Sequence, residues 1–165
     1  LISSRAVAEV ISENGGIALR SRVGHSYIKT LMAESGAVFG GEHSGHFYFG
    51  DFWRADSGML AALYALAELM ATSKSLSNLL EPYNRYFSSG EINSKVKDAG
   101  KSIKLVKEKY QDKYQVDELD GLTVTAENWW FNLRPSNTEP LLRLNVEADT
   151  QKQMAEIRDT VLNLI

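Results

Sequence analysis

The sequence predicts two small domains in series, an α/β domain followed by an α+β domain. Over residues 1 to about 70, apolar segments of helical length alternate with short β-type runs, the pattern of a layered α/β domain. Beyond residue 91, three segments with apolar residues at every second position follow one another, as in an antiparallel meander covered on one face. Between these regions Ser88-Ser89-Gly90 reads as an interdomain hinge, which places the domains at 1–87 and 88–165.

In the first domain, Ser3 or Ser4 can cap a helix bearing Val7, Val10 and Ile11 that stops before Asn14-Gly15-Gly16. A short strand from Ile17 to Leu19 is expected next. The loop Arg20 to Gly24 would lie at its carboxyl end, where open parallel sheets bind ligands, and lead into a helix from about Ser26 to Glu34. Ala37-Val38-Phe39 and Phe47-Tyr48-Phe49 read as strands flanking a glycine-rich turn. From Ser57 to Ala71 the chain is helical and apolar nearly all round, which predicts a packed core helix. A further helical stretch from about Leu76 to Leu80 leads to Pro82.

The second domain reads as βαβββα, with an antiparallel sheet and two helices. Ile92 to Val96 is the first strand. Asp98 caps a helix with Ile103, Val106 and Tyr110 on one stripe. The meander is Leu122-Val124-Ala126, Trp129-Phe131-Leu133 and Leu142-Leu144-Val146. Thr150, with Gln153 three residues on, opens a last helix whose stripe is Met154, Ile157, Val161 and Leu164.

Composition narrows the function classes. At 165 residues and 44% hydrophobic content, the chain can bury real cores. Its longest apolar run, Met59 to Ala67, is far shorter than the roughly 20 residues a membrane helix needs, so no membrane partner is expected. A net charge of -3 gives no overall field for nucleic acid, and any anion must be met by local basic groups. The absence of cysteine excludes disulfides and thiolate metal sites and suits a reducing cytoplasm. The start, Leu1-Ile2-Ser3-Ser4-Arg5, has neither an initiator Met nor the plan of a secretory signal and reads as an internal cut.

Three loops carry chemistry. Gly40 to His46 combines three glycines with Glu42, His43, Ser44 and His46, an inventory that suits a polyhydroxylated ligand: the carboxylate accepts, and Ser and His both donate and accept. The competing readings are a plain polar turn, or zinc held by Glu42, His43 and His46. Arg134 to Pro140 is stiffened by two prolines, and its Arg134, Ser136, Asn137 and Thr138 have the composition of a phosphate cradle. The alternative there is a rigid hairpin connection. Arg20 to Ser26, followed by Lys29, gathers two arginines and His25 at a helix start, a local positive site that surface arginines and a capping serine would explain equally well.

In order, VGHSYIK (Val23 to Lys29), GEHSGHF (Gly41 to Phe47) and RPSNTEPLLRLNVEA (Arg134 to Ala148) resemble the α-D-phosphohexomutase superfamily, and within it the phosphomannomutase/phosphoglucomutase branch. The resemblance covers essentially the whole chain. It implies most of the third domain of a four-domain enzyme up to about Tyr86, truncated from its usual three layers, and the fourth domain thereafter. It implies interconversion of hexose 1-phosphate and hexose 6-phosphate, with glucose or mannose 1,6-bisphosphate as intermediate and activator.

By the same resemblance Glu42 and Ser44 hold the sugar's 3- and 4-hydroxyls, and His46 closes that loop as a candidate for proton transfer. Arg134, Ser136, Asn137 and Thr138, with His25, hold the phosphate that is not transferred. The family's phosphoserine loop, of T-A-S-H-N-P type, and its Mg²⁺-binding D-G-D-G-D-R loop do not occur in this sequence. The cation's ligands and the transferring group are therefore expected on N-terminal domains outside this chain, and the fragment alone is expected to be inactive. A cytoplasmic monomer acting on a hexose phosphate is expected. The alternative of another class is a stand-alone phosphosugar-binding module without catalysis.

Overall fold

The protein, seen in a computed structural model that describes residues 2–136 and 139–165, divides into one compact unit ending at Arg85 and a second, Tyr86–Ile165. Among the described residues no helix is long and apolar enough to cross a membrane.

The first unit runs α1 (Arg5–Glu13), α2 (His25–Ser35), β1 (Phe39–Gly41), β2 (Phe47–Phe49), β3 (Ala55–Asp56), α3 (Gly58–Met70) and α4 (Leu76–Leu80). Ser4 caps α1 by accepting from the Ala6 amide, and Ser57 caps α3 by accepting from Leu60. The sheet has order β1-β2-β3 and is antiparallel throughout, with Gly40 opposite Tyr48. Its core is small: Ile28 and Met32 of α2 close over the fully buried Tyr48. Gly40 permits that closure, because a Cβ there would lie 3.1 Å from Ile28 and 3.2 Å from the Met32 sulfur. Arg85 ties the end of the unit back to α1, meeting both Glu13 carboxylate oxygens at 2.6 Å and Glu9 at 3.1 Å.

Three expectations fail in this unit. Residues 17–19 form no strand and Ile17 is 86% exposed, since a β segment persists only where another backbone pairs with it, and no described segment does. The small sheet is antiparallel, so the 20–24 loop does not follow a parallel strand. Helix α3 forms where expected but is not a buried core helix: none of its residues is buried, and Met59, Leu63, Leu66 and Met70 are all exposed. An all-apolar helix is buried only where other elements surround it. Here Phe49 stacks on Tyr64 and leaves most of the surface open.

The second unit runs β4 (Phe87–Lys95), α5 (Ala99–Tyr110), β5 (Gln115–Asp117), β6 (Leu122–Thr125), β7 (Trp129–Pro135), β8 (Leu141–Ala148) and α6 (Gln151–Leu162). Its antiparallel sheet has order β4-β8-β7-β6-β5. Asp98 and Thr150 cap α5 and α6 as expected. Alternation places Leu122, Val124, Phe131, Leu133, Leu142, Leu144 and Val146 in one core with Val106 and Tyr110 of α5 and Met154 and Val161 of α6. Tyr110 sits edge-on to Phe131 at 5.1 Å. Strand β5 is additional to the expected βαβββα pattern.

Ser88, Ser89 and Gly90 are not a free hinge but part of β4, where the register with β8 slips between Ser88 and Glu91. Gly90 takes the left-handed conformation of the bulge (φ 67°), and the Ser89 hydroxyl accepts from the Val146 amide at 3.0 Å, filling the gap in the ladder.

Candidate functional site

Functional groups cluster once in each unit. In the first, the turn joining β1 to β2 is drawn shut by backbone bonds from the Glu42 amide to the His46 carbonyl (2.8 Å) and from the Gly45 amide to the Glu42 carbonyl (3.0 Å). Gly45 supplies the positive φ of 85° that the turn requires. This folds the Glu42 side chain inward, where it is 8% exposed and accepts from the Tyr48 hydroxyl at 2.6 Å. Because Tyr48 gives its only proton to Glu42, it must accept from His25, whose Nδ1 stands 3.1 Å away. Burial first, and then the bond to Glu42, pushes the Tyr48 phenol far above its ordinary pKa, so it stays protonated.

Next to this relay His46 faces His25, with ring centroids 4.8 Å apart. Its Nδ1 lies 2.6 Å from Asp56 Oδ2, while Asp56 Oδ1 accepts from the Phe47 amide at 2.9 Å. The bond to Asp56 raises the His46 pKa above its usual value, and the same bond, helped by the Phe47 amide, lowers that of Asp56. Two consecutive left-handed residues, Trp53 and Arg54, turn the chain between β2 and β3 and so return Asp56 to the start of β2.

Of the residues the sequence singled out, Glu42, His46 and His25 meet in this site, whereas Ser44 and His43 lie exposed on the same turn. Tyr48 and Asp56 were not foreseen. Tyr48 reads as an ordinary strand aromatic, and Asp56 acquires its role only through the return of β3. The zinc trio Glu42, His43 and His46 is not what the fold gathers: among the described residues, the group able to hold a metal is His25, His46 and Asp56, with ligand atoms within 4.8 Å of one another. A neighbouring cleft of about 640 Å³ between α1, α2 and β1 is lined mainly by apolar side chains such as Val10, Ile17, Leu31 and Phe39, with Arg20, Glu42 and His43 also on its wall.

In the second unit Arg134 is next to last in β7 and stands directly opposite Arg143 of β8. Gly121, at φ 72°, permits the preceding turn to lie against it, since a Cβ there would fall 2.5 Å from that of Arg134. One carboxylate serves both cations: Glu91 lies 3.6 Å from Arg134 and 3.6 Å from Arg143. Arg143 also donates to the Ser136 hydroxyl at 3.4 Å. Among the described residues neither arginine's buried Nε has a hydrogen-bond partner, so the pair carries unspent donors and a surplus of positive charge. Asn137 and Thr138 lie outside the described residues. Arg143 was missed in the sequence, although a hairpin whose two arms both carry arginine was a signal to be read.

Residues 1–86 match the family model for the phosphoglucomutase/phosphomannomutase alpha/beta/alpha domain III, and residues 91–164 match its C-terminal domain. The chain belongs to the phosphoglucomutase/phosphomannomutase family. It is 49% identical over 162 residues to a phosphomannomutase of Methanocaldococcus jannaschii, covering 98% of this chain and 36% of that one. It is 42% identical over 164 residues to a phosphomannomutase of Vibrio cholerae, covering 94% of this chain and 34% of the relative. A crystal structure of a phosphoglucomutase/phosphomannomutase family protein from Burkholderia thailandensis superposes with a TM-score of 0.81 at 30% identity, covering 97% of this chain and 34% of that one. The chain thus spans about a third of the length of these relatives.

Proposed function

We propose that this chain is the sugar- and phosphate-gripping part of a phosphohexomutase that interconverts the 1- and 6-phosphates of glucose or mannose through a bisphosphorylated sugar. The observation that carries this reading is the Glu42–Tyr48–His25 relay, with the His46–Asp56 pair beside it, on the turn that the family resemblance assigns to the sugar. Glu42 keeps one oxygen for Tyr48 and offers the other to a pair of neighbouring hydroxyls, with Ser44 on the same turn as a second contact. Asp56 accepts a hydrogen bond from Nδ1–H of His46, so the neutral ring presents its Nε2 lone pair to a substrate hydroxyl and can accept its proton.

In the second unit, Arg134, Arg143 and Ser136, with Asn137 and Thr138 on the same loop, hold the phosphate that is not transferred; His25 remains a candidate for that phosphate as well. A substrate that must be held in either of two orientations is served by this division, because the middle hydroxyls and a phosphate are common to both. Mg²⁺ and the phosphoserine belong to loops whose motifs this sequence does not contain, so the chain alone is inactive in this reading. The working enzyme is a cytoplasmic monomer.

The reading is tested in the complete polypeptide on glucose 1-phosphate and mannose 1-phosphate. Arg134→Ala is expected to lower kcat/KM by about 2 kcal/mol or more through loss of a charge-assisted pair. Unchanged kinetics in Arg134→Ala and in Glu42→Gln alike would overturn it. Binding of inorganic phosphate by the 165-residue chain with no turnover by the whole protein would favour the binding module instead.

A further inference from the structure

Two features of the first unit prepare a pair of imidazoles for something other than a proton. The Tyr48 hydroxyl, having given its proton to Glu42, fixes His25 with hydrogen on Nδ1 and a lone pair on Nε2. Asp56 does the same for His46. A histidine whose far nitrogen is held by a carboxylate or an oxygen acceptor, with the near nitrogen left basic, is the arrangement that orients metal-ligating imidazoles. Here two such rings lie with centroids 4.8 Å apart, and the donor atoms of His25, His46 and Asp56 fall within 4.8 Å of one another. The Glu42 carboxylate acts electrostatically on His46 and adds negative charge beside them.

We infer that the Nε2 atoms of His25 and His46 form a binding site for a zinc-class transition-metal ion, with Asp56 as the carboxylate that orients His46 through its Nδ1. Imidazole nitrogen suits Zn²⁺, Ni²⁺ or Cu²⁺, whereas Mg²⁺ takes oxygen ligands and keeps its water. With two imidazole ligands, the remaining positions stay open for water or for ligand oxygens. Binding itself does not depend on the mutase reading. If that reading holds, the ion occupies the Nε2 lone pair that His46 uses on the substrate, and zinc inhibits the enzyme from a place other than its Mg²⁺ loop.

The test is calorimetric titration of the chelator-treated 165-residue chain with zinc chloride in phosphate-free buffer, alone and with Mg²⁺ in large excess. One zinc per chain is expected, with micromolar affinity that Mg²⁺ leaves unchanged. His25→Ala and His46→Ala should each abolish it, Asp56→Asn should weaken it by about tenfold or more, and His43→Ala should leave it intact. Because His25 and Asp56 are exposed, folding of the variants can be verified by circular dichroism, and His25→Gln provides a second removal of the ligand. No binding with zinc in excess, or equal loss in His43→Ala, overturns the inference. Zinc binding that behaves as expected, together with zinc-insensitive turnover in the complete polypeptide, would instead count against His46 as the proton acceptor and leave the metal site standing.

Discussion

The two units spend similar lengths of chain on very different interiors. In Tyr86–Ile165 a five-stranded sheet and two helices share one continuous core in which Leu122, Val124, Phe131, Leu133, Leu142 and Leu144 are completely inaccessible. Among the described residues of the first unit only Tyr48 reaches that state, and an apolar helix of thirteen residues stands uncovered. Stability and chemistry are therefore placed differently. The second unit hangs its cationic pair on two paired strands, β7 and β8, whereas the first builds its site on the same residue, Tyr48, that makes its small core.

The sharpest way to break this contrast is one truncation in each unit. Phe131→Ala should cost about 3–5 kcal/mol, since it empties a fully buried aromatic site between Tyr110 and Trp129. Leu63→Ala, on the exposed face of α3, should change stability by no more than about 0.5 kcal/mol. Urea unfolding followed by hydrogen exchange resolves the two units separately. A large effect of Leu63→Ala would mean that α3 is covered in solution, and the comparison would fail.

Tyr48→Phe sharpens it from the other side. The ring still fills the core, but Glu42 loses its donor and His25 its acceptor, so the β1–β2 amides should open more easily by about 1–3 kcal/mol. Exchange in β7 and β8 should not change. Equal loss of protection in both units would show that they unfold together.

How much of this was legible depended on whether the signal was local. Caps at Ser4, Asp98 and Thr150 were readable because the capping side chain and its amide lie within three residues. The meander was readable because each strand's alternation faces one covered surface. Glu42, His46 and Arg134 could be singled out as chemical groups in glycine- or proline-framed loops. What could not be read was pairing at a distance. Residues 17–19 look like a strand but have nothing described to pair with, and the apolar surface of α3 says nothing of what covers it. Tyr48 and Asp56 become functional only through register, the one by lying opposite Gly40 and the other by the turn at Trp53 and Arg54. Ser88 to Gly90 carry hinge composition, yet a bulge uses the same residues for the same conformational reason.

The smallest expected effect tests whether the first unit's polar pair is as ordered as its geometry. His46 is held above the ordinary histidine pKa chiefly by Asp56, so its imidazolium persists to higher pH than in a free chain. The sign follows directly: whatever stability the pair adds is complete below the ordinary value of about 6.5 and is lost as pH rises through the elevated one. Both side chains are partly exposed, so solvent screens the interaction and the readout is the titration itself. In chelator-treated protein, the His46 ring proton followed by NMR should titrate above the ordinary histidine value, and Asp56→Asn should bring it down toward that value. In the complete enzyme the same variant should move the base-dependent limb of the pH–rate profile to lower pH, because the neutral ring then appears earlier. A His46 titration indifferent to Asp56→Asn would mean that the contact does not persist in solution, and the proton-accepting tautomer assigned to His46 would lose its support.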